Sequence, residues 1–118
     1  MAAGKVNLPS IEKGATYRHT LYWKDAANVA IDMTGCTGKM QVRESVDSTV
    51  VLLELSSANG GIIITPLLGK IDLYLSDENS TLLSGLGGVY DLEIYWSNGD
   101  TTRLVEGKLA FKPEVTRG

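Results

Sequence analysis

The chain has 118 residues and a mass of 12.7 kDa, enough for one compact domain and too little for two. Apolar residues make up 43% and charged residues 21%, so we expect a packed core rather than a disordered chain. The net charge of −3 and the pI near 5.0 argue against nucleic acid or an anionic membrane as the main partner, because phosphate binding needs a basic surface.

Alternation of apolar and polar residues predicts β-strands along most of the chain. In residues 16–23, Tyr17, His19 and Leu21 share one face, since successive side chains of a strand point to opposite sides. Similar short apolar or alternating runs recur along the rest of the sequence. We predict further strands at 39–43, 50–55, 62–65, 70–75, 89–96 and 102–111.

Turn residues separate these runs. The cluster at 59–61 predicts a tight reversal with positive φ. Asn98-Gly99 lies between two alternating runs and favours a primed hairpin turn, in which both residues have positive φ. Gly107 interrupts the last run, where we expect a β-bulge.

One segment predicts a helix instead. Ser76 is a capping residue, acidic residues follow it, and Gly85 supplies a stop, so we predict one short helix near 77–84. Seven or eight short strands, with turns at intervals of about 8–12 residues, predict an all-β fold: an antiparallel β-sandwich. We expect a single domain over residues 1–118, flexible at 1–5 and 115–118.

The composition also bears on location and redox chemistry. The single cysteine, Cys36, excludes an internal disulfide and a zinc site built on cysteine pairs. Residues 1–9 contain no apolar run typical of a signal peptide, and no apolar stretch is long enough to cross a membrane. We therefore expect a soluble protein that is made in the cytoplasm without classical export.

The sequence offers little for catalysis. His19 is the only histidine, and it alternates with apolar residues without a nucleophile and an acid at a suitable spacing. Asp72, Asp91 and Glu93 are the carboxylates that a small hydrolase or a calcium site would use, but the polar face of an amphipathic strand explains them better. We expect no catalytic, metal-ligating or cofactor-binding residues.

Four aromatic residues are the candidates for ligand binding. Exposed rings on a β-sandwich can stack on sugars, so Tyr22, Trp23, Tyr95 and Trp96 define a possible glycan platform. The two tryptophans each end an apolar alternation, which favours a role in closing one end of the core.

Several segments carry a resemblance through their order along nearly the whole chain. They are IEKGAT at 11–16, IDMTGCT at 31–37, MQVR at 40–43, GKIDLYLS at 69–76, YDLE at 90–93, SNGD at 97–100, LVEGKL at 104–109 and VTR at 115–117. In this order the chain resembles small tailed-phage and prophage proteins that accompany virion structural genes. The resemblance implies an immunoglobulin-like or related sandwich in the tail, neck or baseplate, without catalytic residues.

We accordingly expect a non-enzymatic phage or prophage virion protein, made in the bacterial cytoplasm, that assembles with other virion proteins and with itself. Unpaired groups of edge strands are one physical means, and the chain ends and the loops at 25–34 and 77–88 are candidate contacts. A capsid decoration protein, a carbohydrate-binding module and a small hydrolase remain the alternatives.

Overall fold

The computed structural model describes residues 4–115, and nearly half of the chain lies in β-strands. A short 3-10 helix, Pro66–Leu68, and one α-helix, α1 (Asp77–Thr81), accompany them. In chain order the strands are β1 (Gly4–Lys5), β2 (Ile11–Glu12), β3 (Tyr17–Tyr22), β4 (Thr37–Arg43), β5 (Leu53–Ser56), β6 (Ile62–Thr65), β7 (Lys70–Leu75), β8 (Gly87–Tyr95) and β9 (Thr101–Lys112).

The strands form two sheets. The larger sheet has the order β1-β9-β8-β4-β5, with β2 also pairing with β9, and the smaller sheet has the order β3-β7-β6. The pairing is antiparallel except at one edge, where β1 and β2 both run parallel to β9. The sheets are therefore mixed, and the prediction of purely antiparallel pairing is wrong at this edge.

Both sheets contribute to one hydrophobic core. Met40, Leu92 and Ile94 from the larger sheet are fully buried, as are Ile71 and Leu73 from the smaller one. Burial of alternate residues on facing strands is the pattern that period-two hydrophobicity predicts. The prediction of a mostly β protein is confirmed, and the shared core is compatible with an all-β sandwich.

Two buried tyrosines, Tyr90 from the larger sheet and Tyr17 from the smaller one, hold the N-terminal segment in place. The Tyr90 hydroxyl donates to the carbonyl of Val6 at 2.5 Å, and the Tyr17 hydroxyl donates to that of Pro9 at 3.0 Å. Burial raises the pKa of both tyrosines to about 12. Of the ends predicted to be flexible, Gly4 and Lys5 belong to a strand and Val115 is an exposed residue outside the strands. Residues 1–3 and 116–118 lie outside the described residues.

The hairpin between β8 and β9 is present, but its predicted turn type is wrong. Gly99 has a φ of 95°, and Asn98 is not among the residues with positive φ. The Gly99 N–H donates to the carbonyl of Trp96 at 3.0 Å and closes a four-residue turn, Trp96–Gly99. Within this turn only Gly99 has positive φ, so the turn is not of the primed type. The longer loop needs positive φ at one position only.

The predicted bulge also lies elsewhere. Pairing between β8 and β9 shifts register opposite Leu104, which is left without a partner on β8, while Gly107 stays paired with Tyr90. A Cβ atom at position 107 would lie 2.1 Å from the carbonyl oxygen of Val6. Glycine is needed there because the N-terminal segment crosses β9 at close range.

The helix is shorter than predicted and is anchored by one buried serine. It spans Asp77–Thr81, and the Ser76 hydroxyl caps it by accepting from the N–H of Asn79. Ser80 is completely buried; its hydroxyl oxygen accepts from the N–H of Gly14 at 3.0 Å and lies 2.8 Å from the carbonyl of Ala15. The helix therefore fixes the chain just before β3.

Removal of the buried hydroxyl should weaken the fold measurably. Ser80→Ala leaves the N–H of Gly14 and the carbonyl of Ala15 without this partner, so we expect a loss of about 1–3 kcal/mol in the free energy of unfolding. Thr81→Ala is the control, because the exposed Thr81 bonds only within the helix. Equal stability of the two variants in urea denaturation would contradict this role for Ser80.

Candidate functional site

The two sheets differ in how their edges are closed. At the free edge of β5, the side-chain amide of Asn59 accepts from the N–H of Ser56 and donates to the carbonyl of Glu54, both at 2.9 Å. The amide group thus imitates the backbone of a neighbouring strand. The same Asn59 oxygen accepts from the N–H of Gly61, so this edge is occupied.

The opposite edge of the larger sheet is covered by the N-terminal segment. The two strands there, β1 and β2, have two residues each, and Pro9 lies between them. Very short edge strands and proline both discourage further pairing, because they break the row of free donors. Both edges of the larger sheet are therefore protected.

Strand β3 lies at an edge of the smaller sheet, and its hydrogen-bonding phase follows from one contact. The N–H of Trp23 donates to the carbonyl of Gly69 at 2.7 Å, in register with the antiparallel β3–β7 ladder. Antiparallel pairs alternate between hydrogen-bonded and non-hydrogen-bonded. Odd-numbered residues of β3 therefore bond to β7, and even-numbered residues direct their N–H and C=O groups away from it.

This phase leaves a regular row of free backbone groups on β3. Arg18, Thr20 and Tyr22 each direct an N–H and a C=O outward, and the side chains of all three are exposed, Tyr22 by 60%. Within residues 4–115 no strand pairs with this side of β3, and no hydrogen bond reaches these outward groups. We call the row formed by these three residues the β3 edge.

The other edge of the smaller sheet is open over a shorter length. The N–H of Tyr74 donates to the carbonyl of Gly61, so on β6 the backbone groups of Ile62 and Ile64 point outward. Pro66 follows directly after this strand and removes the next donor. The β3 edge is thus the longer of the two open edges.

A charged groove runs over the outer face of the larger sheet. Its volume is about 610 Å³, and its lining carries both signs of charge. Arg103 Nε lies 3.5 Å from Asp91 Oδ2, while Glu93 pairs in register with Arg103 and Lys39. Glu106 lies directly opposite Asp91. This arrangement matches the predicted polar strand face, neutralised across the ladder.

The carboxyl group of Asp91 has a raised pKa in this groove. Partial burial raises the pKa of its carboxyl, the nearby Glu93 and Glu106 raise it further, and Arg103 and Arg43 only partly offset these effects. Burial and the hydrogen bond to Glu93 likewise raise the pKa of Tyr95. Both shifts follow first from burial and then from the crowding of carboxylates on this sheet face.

The three carboxylates singled out from the sequence do not come together. Asp91 and Glu93 lie on β8 in the larger sheet, whereas Asp72 lies on β7 in the smaller one. Asp72 accepts a hydrogen bond from Thr20 at 2.6 Å and lies 3.8 Å from Lys70 Nζ. In the described part of the chain, histidine, cysteine and carboxylate groups nowhere form a set of three that could hold a metal ion.

The four aromatic residues divide among three surfaces. Tyr22 lies on the outer face of the smaller sheet, and Tyr95 on that of the larger sheet. Trp23 and Trp96 pack edge to face against each other, with ring centroids 5.7 Å apart and planes at 62°, and both half-buried side chains contact the core. The rings therefore do not form one flat platform, and glycan binding by them stays a prediction.

The remaining candidates are half-buried. His19 lies on the core side of β3, and Cys36 lies just before β4. Burial and the negative charge of Asp32 raise the pKa of the Cys36 thiol, the reverse of what a reactive cysteine needs. Over residues 4–115, the helices are all too short or too polar to span a membrane.

No protein-family model matches the chain, and no curated protein is significantly similar to it. The candidate site therefore depends on geometry alone. Sequence reasoning recognised edge strands as a means of assembly but pointed to chain ends and loops as contacts. It missed the β3 edge, because alternation predicts a strand without saying which neighbours it finds.

The Asn59 side chain can be tested as the closure of the β5 edge. Asn59→Ala removes three hydrogen bonds to backbone groups, so we expect a loss of about 1–3 kcal/mol in unfolding free energy and faster amide exchange at Ser56. Asn59→Asp keeps the acceptor oxygen and loses only the N–H donor. The unfolding free energy of this variant should therefore lie between those of the wild type and Asn59→Ala. Unchanged exchange at Ser56 in the alanine variant would contradict this closure.

The raised pKa of Asp91 gives a pH-dependent prediction. Because the folded state holds this proton more tightly, the ionised carboxylate opposes folding at neutral pH. We expect Asp91→Asn to stabilise the protein at pH 7, since it removes the cost of burying this charge and its repulsion by Glu93 and Glu106. The gain should be only about 0.2–1 kcal/mol, because solvent screens this partly exposed side chain. The gain should vanish as the pH falls below about 4, where the wild-type carboxyl is protonated as well.

Thermal unfolding across this pH range measures the difference, with the exposed loop residue Asp47 as the control through Asp47→Asn. A gain that persists in acid would contradict the electrostatic explanation.

Proposed function

We propose that the chain is a non-enzymatic structural or assembly protein of a tailed-phage or prophage particle, acting in the tail, neck or baseplate through contacts with other virion proteins and with copies of itself. The open β3 edge is the observation that carries this proposal. Free backbone donors and acceptors on an edge strand extend a neighbour's sheet, and natural proteins usually block them.

The larger sheet has closed edges and the smaller sheet has an open one, and this difference supports a role in assembly. Asn59 and the N-terminal segment close both edges of the larger sheet, so this protein has the devices that prevent edge pairing. Strand β3 has six regular residues, and within residues 4–115 none of these devices covers its open edge. An open β3 edge in a protein that closes both edges of its larger sheet is expected if β3 pairs with a strand of another protein molecule.

We further propose an immunoglobulin-like topology, as the sequence resemblance implies. The strand order supports it: β3-β7-β6 corresponds to strands B, E and D, and β9-β8-β4-β5 corresponds to G, F, C and C′. The N-terminal strands then correspond to strand A. In the constant-type arrangement strand A lies beside B. Here β1 and β2 lie beside the G equivalent, β9, and no strand of residues 4–115 fills the position next to β3.

The proposed role can be tested in the phage or prophage that encodes the chain. We expect the protein to co-purify with particles through a density gradient, and deletion of its gene to lower the titre of infectious particles, because an assembly component is incorporated rather than released. An intact copy supplied in trans should restore the titre. Particles that purify and infect normally without the chain would overturn the proposal.

A matched variant addresses catalysis. The triple change Asp72→Asn, Asp91→Asn and Glu93→Gln removes the carboxylates of the hydrolase alternative. Asparagine at position 72 still offers an oxygen to the Thr20 hydroxyl, and the backbone groups of the β3 edge are unchanged. We expect this variant to restore the titre as well as the wild-type gene does. Loss of function by a variant that folds and enters particles would favour an enzyme instead.

A further inference from the structure

We propose that the β3 edge is a self-association site, at which β3 of a second copy of this chain pairs antiparallel about a two-fold axis through Thr20. This would join the two smaller sheets into one sheet of six strands. The inference rests on the proposed function in one respect, since it specifies how an assembly protein contacts itself. Its physical basis is the geometry of β3 alone.

The hydrogen-bonding phase of β3 is compatible with this symmetry. The outward groups belong to residues 18, 20 and 22, which are spaced evenly around Thr20. A two-fold axis at Thr20 pairs Arg18 of one copy with Tyr22 of the other, twice, and pairs the two Thr20 residues with each other. Each of these three pairs exchanges two backbone hydrogen bonds, so every free group of the edge finds a partner.

The side chains on the outer face are also complementary. In this register Arg18 of each copy lies beside the Tyr22 ring of the other, and no two like charges face each other directly across the axis. The Arg18 guanidinium already lies 4.8 Å from the ring of Tyr74, its partner on β7. Pairing would place it between two tyrosine rings, a favourable arrangement for an arginine.

Pairing of β3 with β6 of another copy is the competing arrangement, which would propagate into rings or filaments. It is less favourable, because β6 has only Ile62 and Ile64 with outward backbone groups. Those two residues offer four hydrogen bonds at most, against six across the β3 edge. The longer edge therefore favours a closed dimer.

The first test uses the purified chain and analytical ultracentrifugation. We expect the mass to rise with concentration from 12.7 kDa toward twice that value and to stop there. Thr20→Pro removes the central outward N–H without breaking the β3–β7 ladder, and should abolish dimerisation. Thr20→Val keeps the N–H and should dimerise. A wild-type monomer up to millimolar concentration, or a higher ring or filament, would overturn the proposal.

The second test reads the register and does not depend on proline. Two double variants share Arg18→Glu and differ only at position 22, which carries Tyr22→Lys in one and Tyr22→Glu in the other. Across the two-fold axis the first has two pairs of opposite charges and the second has two pairs of like charges. We expect the dimer of the first to be tighter by about tenfold or more at low salt.

Ile63→Glu is the control, because Ile63 is exposed on the same outer face but belongs to β6. This change should leave dimerisation unaltered. Circular dichroism verifies that each variant is folded. Equal affinities of the two double variants, or loss of the dimer in the Ile63 variant, would overturn the proposed register.

The two proposals fail separately. A monomeric chain that is still found in purified particles would refute self-association through β3 and leave the virion role standing. A dimer with the predicted charge dependence that is absent from particles would refute the virion role and leave the β3 interface standing.

Discussion

Backbone hydrogen bonding at the sheet edges is the constraint on which this structure depends. Each strand has donors and acceptors on both sides, and the outermost strand of a sheet can use only one side within its own sheet. The larger sheet resolves this with the Asn59 amide at one edge and the N-terminal segment at the other. In the described part of the chain nothing closes either edge of the smaller sheet, and this asymmetry distinguishes the two sheets.

The route of the N-terminal segment decides where the open edge falls. Residues 4–12 run along β9, held by the phenol groups of Tyr17 and Tyr90 and by the close passage over Gly107. Had the segment followed β3 instead, the free row would be covered and β9 would be exposed. The position of the open edge thus follows from the pairing of the N-terminal segment with β9, which the hydrogen bonds of Tyr17 and Tyr90 stabilise.

The outer sheet faces illustrate why charged residues on strands are weak indicators of function. Asp91, Glu93 and Glu106 crowd one face, and the pKa of Asp91 is raised, yet Arg103 and neighbouring bases interleave with them. Asp72, which the sequence suggests as a third member of the group, lies on the other sheet and is engaged by Thr20 and Lys70. The raised pKa values of Asp91 and Tyr95 reflect partial burial first and like charges on neighbouring ladder positions second, as amphipathic strands produce.

The sequence by itself determined the local elements. Alternation located β3, β4 and β6–β9 within about two residues, because burial of one strand face imposes period two wherever neighbours are found. It missed β1 and β2, because strands of two residues leave no alternating pattern. It also assigned the bulge to Gly107, whereas glycine is needed there because the backbone of Val6 lies too close for a side chain. Only the tertiary structure decided which strands became neighbours, which carboxylates met and which edge stayed open. Those properties depend on pairings between distant residues, and a single strand's pattern records which side is buried but not what lies beside it.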